Sequence, residues 1–199
     1  MTKLFILKGV IFLATKNLSK TLSTREITEI AILLAFATVL ELASTFLPRQ
    51  PQGGSISISL IPIIVLTYRH GLKTGILSGV IFGLINWMIA GFVVYVHWFE
   101  GILDYLVAYG VAGFAALVFR MNKESIIYFT VGAVLAGVLR YFIHFLSGIL
   151  IFDVFTPDGQ TVWWYSLTYN GAYMLPTIGL VGVLSFALFK PLKETFLQD

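Results

Sequence analysis

The sequence predicts an all-α membrane protein, a bundle of six transmembrane helices, and three observations carry that expectation. The first is composition: 58% of the 199 residues are hydrophobic and only 12% are charged. The mean hydropathy of +0.90 lies far outside the range of soluble domains. The second is length, since six spans of about 20 residues consume roughly 120 residues and leave short loops with no room for a soluble domain. The third is charge placement. With the N-terminus inside, Lys3, Lys8, Lys16, Lys20 and Arg25, then Arg69 and Lys73, then Arg120 and Lys123, then Lys190 and Lys193 all fall on cytoplasmic ends. Only Arg49 falls outside, and Arg140 lies within a span. This positive-inside bias predicts cytoplasmic termini, with the loops at 48–55, 92–97 and 153–166 facing out. It also accounts for the net charge of +3 without a nucleic-acid partner.

Residues 1–23 place four lysines around the apolar run Leu4–Ala14, which Lys8 and Gly9 interrupt. That run is too short to span, and no small-x-small cleavage signal follows. An interfacial amphipathic helix is therefore expected rather than a signal peptide. The membrane domain is expected over 24–193 and a cytoplasmic tail over 194–199. Span one runs from about Glu26 to Leu47, capped by Ser23 or Thr24, with acidic residues in its first turn and Pro48 at its end. PQGGS, Pro51–Ser55, reads as a loop. Span two, about Ile56 to Tyr68, is short and carries Pro62; Arg69, His70, Gly71 and Lys73 make a polar turn after it. Span three runs from about Leu72 to Val94. Gly71, Gly75, Gly79 and Gly83 form a small-residue ridge along it that admits a neighbouring helix closely. Spans four, five and six run from about Trp98 to Phe119, Ser125 to Phe152 and Leu167 to Phe189, the last with a kink expected at Pro176.

The polar residues inside these spans gather on one side. Arg140, His144, Gly148 and Phe152 recur every four residues and so project from one stripe of span five. An ionisable residue at mid-helix costs ~2.5–3.5 kcal/mol on insertion scales and turns toward the bundle interior or a water-filled cavity. Asp104 and Tyr105 in span four, Trp163 and Trp164 in the loop, and Tyr165, Ser166 and Asn170 bring a carboxylate, an amide and several rings to the same outward-facing opening. Such a set suits a flat, cationic, nitrogen-containing ligand, whose rings stack on aromatics while its charge pairs with Asp104. Alternatives stand beside this reading. Trp163 and Trp164 could form an interfacial belt, and Asp104 could make a structural ion pair with Arg140. Arg140 could bind ligand or brace the bundle, and Glu41 could line the cavity or cap a loop. Glu100 is expected to be solvated and His97 to lie in a loop.

Catalysis is not expected. The chain has no cysteine, which removes thiol chemistry and iron–sulfur clusters. It carries no Gly-Lys-Ser/Thr phosphate loop, no His-Glu-x-x-His pair and no Gly-x-Ser-x-Gly elbow. His70 lies on the opposite side from His97 and His144, so a three-His metal site is not available. His144, Asp104 and Ser147 contain the letters of a hydrolase triad, but Ser147 lies only three residues along the same helix as the histidine. No cofactor or metal is implied. A channel would need polar residues through both halves, and the inner half lacks them.

Five motifs together resemble one family. They are TEIAILLAFA (Thr28 to Ala37), PQGGSISISLIPIIVLTYRHG ending at Gly71, LDYLVAY (Leu103 to Tyr109), HFLSGILIF (His144 to Phe152) and YSLTYNG (Tyr165 to Gly171). Over roughly Leu22 to Lys190 the chain resembles the thiamine-specific substrate-binding component (S-component, ThiT type) of energy-coupling-factor vitamin transporters. The resemblance implies a six-helix bundle in the bacterial cell membrane that captures thiamine from outside. It also implies docking on one transmembrane coupling protein with two cytosolic ATPases. The family's acidic-Tyr pair falls on Asp104 and Tyr105, its His and Gly on His144 and Gly148, and its pyrimidine-contacting residues on Tyr165, Ser166 and Asn170. Phe152 stands where some members place a stacking Trp, and Gly53 where they carry a Trp in the first outer loop. Stacking then falls to Phe152 with Trp163 or Tyr95. Ala31 and Ala35 resemble the small-residue motif that meets the coupling protein, intramolecular packing being the alternative. A related vitamin or thiamine precursor as ligand, or a non-transport membrane scaffold, are the rival functions.

Overall fold

The computed structural model describes residues 22–47, 49–91 and 94–196. The expected interfacial helix over 1–23 therefore lies outside the described residues apart from Leu22 and Ser23, as do Pro48, part of the 92–97 loop and the end of the 194–199 tail. Six helices account for most of the rest: α1 Thr24–Ala43, α2 Leu60–His70, α3 Leu72–Ile89, α4 Phe99–Phe119, α5 Ile126–Leu150 and α6 Val162–Phe196. Five of them, α2 excepted, are long and apolar enough to cross a membrane.

α1 begins at a capping box, in which Glu26 N donates to Ser23 Oγ at 3.2 Å and Ser23 N donates to Glu26 Oε2 at 2.8 Å. Ser23 rather than Thr24 is thus the cap, and two of the otherwise orphaned amides at the helix start are satisfied reciprocally. A 3-10 turn, Ser44–Phe46, extends the helix. The chain then folds back through a short antiparallel bridge between Arg49 and Ser55.

The second span departs from expectation. Its helix starts at Leu60, not near Ile56, and has 11 residues, roughly 16 Å at the α-helical rise. Residues 56–59 precede it without helical structure because Ser57 and Ser59 are drawn to Glu41 of α1, donating to its Oε2 at 2.7 and 2.6 Å. Pro62 falls in the first turn of α2, where a missing N–H costs no intrahelical bond. From Leu60 to Tyr68 every residue of α2 is buried, so this short helix forms the centre of the bundle.

The glycine ridge of α3 does the packing expected of it. A Cβ placed on Gly79 would lie 2.2 Å from the carbonyl oxygen of Tyr109, and one on Gly83 would lie 2.4 Å from that of Tyr105. α3 therefore rests directly on the backbone of α4. α4 itself is not a uniform α-helix: Ile102–Val107 is wound as a π-helix and Val111–Ala115 as a 3-10 helix. A π segment re-aims side chains relative to an α-helix, and this one carries Asp104 and Tyr105.

α5 and α6 make the most extensive helix pair of the bundle. α6 begins at Val162, five residues before the expected start, and runs on through Pro176 and Pro191. Residues 162–166, expected in a loop, are consequently its first turns. At the end of the bundle away from Asp104, Tyr68 packs edge-on against Phe119 and Phe129 at centroid separations of 5.6 and 4.9 Å. There Glu29 of α1 also meets Arg69 at 2.8 Å and His70 at 2.6 Å. The outward faces carry exposed apolar residues such as Ile32, Ile127, Leu150 and Val183, as a lipid-facing surface requires.

Candidate functional site

A cavity of about 290 Å³ opens among α3, α4, α5, α6 and the 49–55 turn, near the lower end of the roughly 300–1,000 Å³ typical of small-molecule sites. Three levels of polar residues line it. At mid-depth, Asp104 faces α5: its Oδ1 lies 3.0 Å from His144 Nδ1, and its Oδ2 accepts from Ser147 Oγ at 3.0 Å. Asp104 is therefore not paired with Arg140. Nor is there a hydrolase triad, because both His144 and Ser147 are turned to the carboxylate and no bond runs between them. His144 Nε2 is buried without a protein partner, and the ring meets Tyr173 edge-on at 5.9 Å.

The floor is a relay of charges separated by a phenol. Arg140 Nη2 donates to Tyr109 OH at 2.9 Å, and the guanidinium carbon lies 4.0 Å from the Tyr109 ring centroid. Tyr109 OH in turn donates to Glu41 Oε2 at 3.4 Å. Both uses foreseen for Glu41 hold at once, since it lines the cavity and fastens the turn before α2. Arg140 Nε and Gln52 Oε1, like His144 Nε2, are buried with no hydrogen-bond partner. Such atoms are rare in proteins because each forfeits its hydration, and three from residues lining one cavity point to polar occupants.

The rim is aromatic. Tyr95 and Phe152 lie 6.5 Å apart, Phe152 and Phe155 stack at 6.1 Å, and Tyr105 stacks on Trp87 at 6.1 Å. Glu100, expected in solvent, is instead 3% exposed. Its carboxylate accepts the backbone N–H groups of Tyr95, Val96 at 3.1 Å and His97 at 3.4 Å. An acceptor-only group satisfies three amides that the turn cannot pair otherwise, and this is what draws it inward. His97 is an exposed loop residue.

α6 supplies the remaining wall. Tyr165, Ser166, Asn170 and, unforeseen, Tyr169 and Tyr173 face the cavity. The spacing Tyr165, Tyr169, Tyr173 carried that signal, being one helical face. Asn170 is already engaged by the chain. Its Nδ2 donates to the carbonyls of Ser166 at 2.9 Å and His144 at 3.2 Å, and its Oδ1 accepts from Tyr173 OH at 2.7 Å. Gly148 is what permits α6 to sit so near α5, for a Cβ there would lie 2.1 Å from Ser166 Oγ. Tyr169 OH accepts from Gln52 N at 2.9 Å and donates to the Gly53 carbonyl at 3.1 Å, tying the 49–55 turn over the opening.

Trp163 is not among the lining residues. It is 53% exposed and packs edge-on to Trp164 at 5.7 Å. Starting α6 at Val162 puts Trp163 in the first helical turn, one turn beyond Ser166 and past the mouth. Ala31 and Ala35 lie at the far side of α1 and are exposed, so they pack against no other helix among the described residues. No cluster of three or more metal-ligating side chains occurs among the described residues.

The chain is similar to known proteins in both sequence and fold. The family model described as thiamine transporter protein matches residues 27–197. The chain is 39% identical to the thiamine transporter ThiT of Bacillus subtilis (strain 168), across 86% of this chain and 93% of that one. It is 31% identical to the thiamine transporter ThiT of Lacticaseibacillus paracasei, across 79% and 85% respectively. Among solved structures it is similar to ThiT from Listeria monocytogenes, with a TM-score of 0.72 at 25% identity over 86% of this chain and 96% of that one. With its five membrane-length apolar helices, it is a multi-pass protein of the bacterial membrane and belongs to the thiamine transporter protein family.

Proposed function

We propose that this chain captures thiamine at the outer face of the membrane as the substrate-binding subunit of an energy-coupling-factor transporter. In this reading α2, with the segment before it, completes a six-span bundle with both termini in the cytoplasm. The distribution of Arg and Lys supports that orientation. The observation that carries the reading is Asp104, a carboxylate held by His144 and Ser147 in the wall of a cavity rimmed by Tyr95, Tyr105 and Phe152. A permanent cation with two flat rings matches this set, its thiazolium beside Asp104 and His144 and its aminopyrimidine beside Tyr165, Ser166 and Asn170. Because both Asn170 amide hydrogens are already donated to the protein, its contact with the pyrimidine would use the remaining capacity of Oδ1 as an acceptor. Gly148 gives the ring room, and stacking falls to Phe152 and Tyr95.

Below the Arg140–Tyr109–Glu41 floor the bundle is closed by buried Phe82, Phe119 and Phe129, which speaks against a pore and for a binding site with one mouth. Release inward then requires work from partners, namely a transmembrane coupling protein and two cytosolic ATPases. Ala31 and Ala35 on the exposed face of α1 fit a helix docking closely from outside the chain. The subunit itself would carry out no chemistry. The direct test is titration of the purified protein with thiamine, following tryptophan fluorescence, with pyridoxine and riboflavin as controls. Trp87, stacked on Tyr105 of the cavity wall, is well placed to report. Saturable quenching by thiamine alone at submicromolar concentration is expected. A response to another vitamin and none to thiamine would reassign the ligand.

A further inference from the structure

We propose that Ser147 is a positioning residue that sets the preference of the site for a charged ligand, acting through Asp104. This inference rests on the functional reading above and deepens it. Ser147 is 1% exposed, belongs to none of the lining residues, and so touches no ligand itself. It lies three residues after His144 on α5, on nearly the same face of the helix, and the two side chains divide the carboxylate between them. His144 Nδ1 takes Oδ1 and Ser147 Oγ takes Oδ2, each at 3.0 Å.

Two consequences follow from the chemistry of the groups. A carboxylate only accepts hydrogen bonds, so Nδ1 of His144 is the donor to Asp104, and Nε2 is left buried and without a protein partner in the cavity wall. That arrangement holds only while Asp104 keeps its plane. The terminal torsion of an aspartate is broad and soft, and one bond from His144 would leave the carboxylate free to swing about Oδ1. The second bond, from Ser147, removes that freedom. It leaves the remaining acceptor capacity of both oxygens for the cavity, and a hydroxyl bonded to a carboxylate is among the stronger hydrogen bonds that can hold such an orientation. The π-helical winding of Ile102–Val107 supplies the other half of the alignment, since it brings Asp104 round to the α5 face at all. An uncharged ligand gains nothing from this fixed anion, so the effect of Ser147 falls on selectivity between charged and neutral ligands more than on occupancy as such.

The test uses the full-length protein, with Ser147→Ala and Ser147→Cys variants compared with the unmodified chain. Cysteine keeps the volume of serine within a fraction of a methylene but is a weak donor, so packing and hydrogen bonding separate. Each protein is titrated with thiamine and with an analogue whose thiazolium is replaced by a neutral thiophene ring, and thermal unfolding reports folding. Both variants are expected to lose affinity for thiamine by about tenfold or more while their affinity for the neutral analogue changes less than about threefold. If Ser147→Cys binds thiamine as tightly as the unmodified chain, or if either folded variant loses both ligands equally, the assignment is overturned. Should the alanine variant fail to fold, the cysteine variant decides alone. Failure of the unmodified chain to bind thiamine would overturn the functional reading instead, a separate and recognisable outcome.

Discussion

Gly148 of α5 and Ser166 of α6 are so close that a single added methyl would sit 2.1 Å from the serine Oγ. That contact sets how near the two helices approach, and with it the position of everything on the α6 wall. Ser166 uses its hydroxyl to hold the Phe145 carbonyl at 2.8 Å, and Asn170 donates to Ser166 O one turn further on. A substitution at Gly148 therefore acts on two residues of the cavity wall at once.

Gly148→Ala should weaken thiamine binding by about tenfold, ~1.4 kcal/mol, and lower thermal stability as well. Overpacking costs ~1–3 kcal/mol, and Gly148 lies in the last turn of α5, where the ~1 kcal/mol that alanine gains over glycine in a helix interior is not fully available. Isothermal titration beside thermal unfolding checks this; a fall in stability with unchanged affinity would show that α6 carries the strain elsewhere.

Asp104→Asn removes the charge and keeps the shape. Truncating one partner of a buried charge pair costs about 2–5 kcal/mol, which corresponds to roughly 30- to 5,000-fold weaker thiamine binding. A neutral pyrimidine should lose far less. Equal losses for the two ligands would remove the thiazolium from the neighbourhood of Asp104.

Glu100→Gln should loosen the rim without unfolding the bundle. The carboxylate accepts three backbone N–H groups, those of Tyr95, Val96 and His97. An amide side chain offers one oxygen and turns an N–H donor toward donors. Losing such partners costs about 1–3 kcal/mol per buried group. Hydrogen exchange at the amides of residues 95–97 should accelerate by roughly tenfold or more, with a smaller loss of ligand affinity as Tyr95 is released. Unchanged exchange there would mean that the turn is held by other contacts.

Much of this architecture was legible before any coordinates. Ser23 before Thr24 with Glu26 three residues on signalled the helix start, the glycine ridge signalled a close helix contact along α3, and Arg140, His144 and Gly148 shared a stripe by their spacing alone; Phe152, expected at the end of that stripe, lies beyond the last residue of α5 and reaches the cavity from the segment after it. What stayed hidden depended on backbone winding and on partners far apart in sequence. The π segment that aims Asp104 leaves no mark in hydrophobic periodicity. Glu100 looked solvent-bound because its partners are backbone amides, which every sequence contains. Trp163 looked like a stacking ring because the residues from Asp153 read as one loop, whereas α6 starts at Val162. Ser147 enters the sequence reading only as a letter of a discounted triad with His144 and Asp104; its bond to the carboxylate shows once Asp104 is placed opposite it.

The exposed alanines of α1 allow binding and transport to be separated. Ala31 and Ala35 point away from the bundle, on the other side of α1 from the buried Ile30, Leu34 and Ala37, while Glu41 of the cavity floor lies further along the same helix. Ala31→Trp adds a large ring to a face that meets either lipid or another helix. Lipid accommodates it, so the folded subunit should bind thiamine with unchanged affinity. A helix that must approach closely cannot accommodate it, because association in the membrane rests on van der Waals packing with no hydrophobic drive to compensate for a gap. Thiamine uptake by the complete complex in proteoliposomes should therefore fall to background, and co-purification with the coupling protein should be lost. Retained uptake would place the docking surface on another face of the bundle; loss of binding together with uptake would mean that the ring disturbs α1 itself and, through Glu41, the floor of the site.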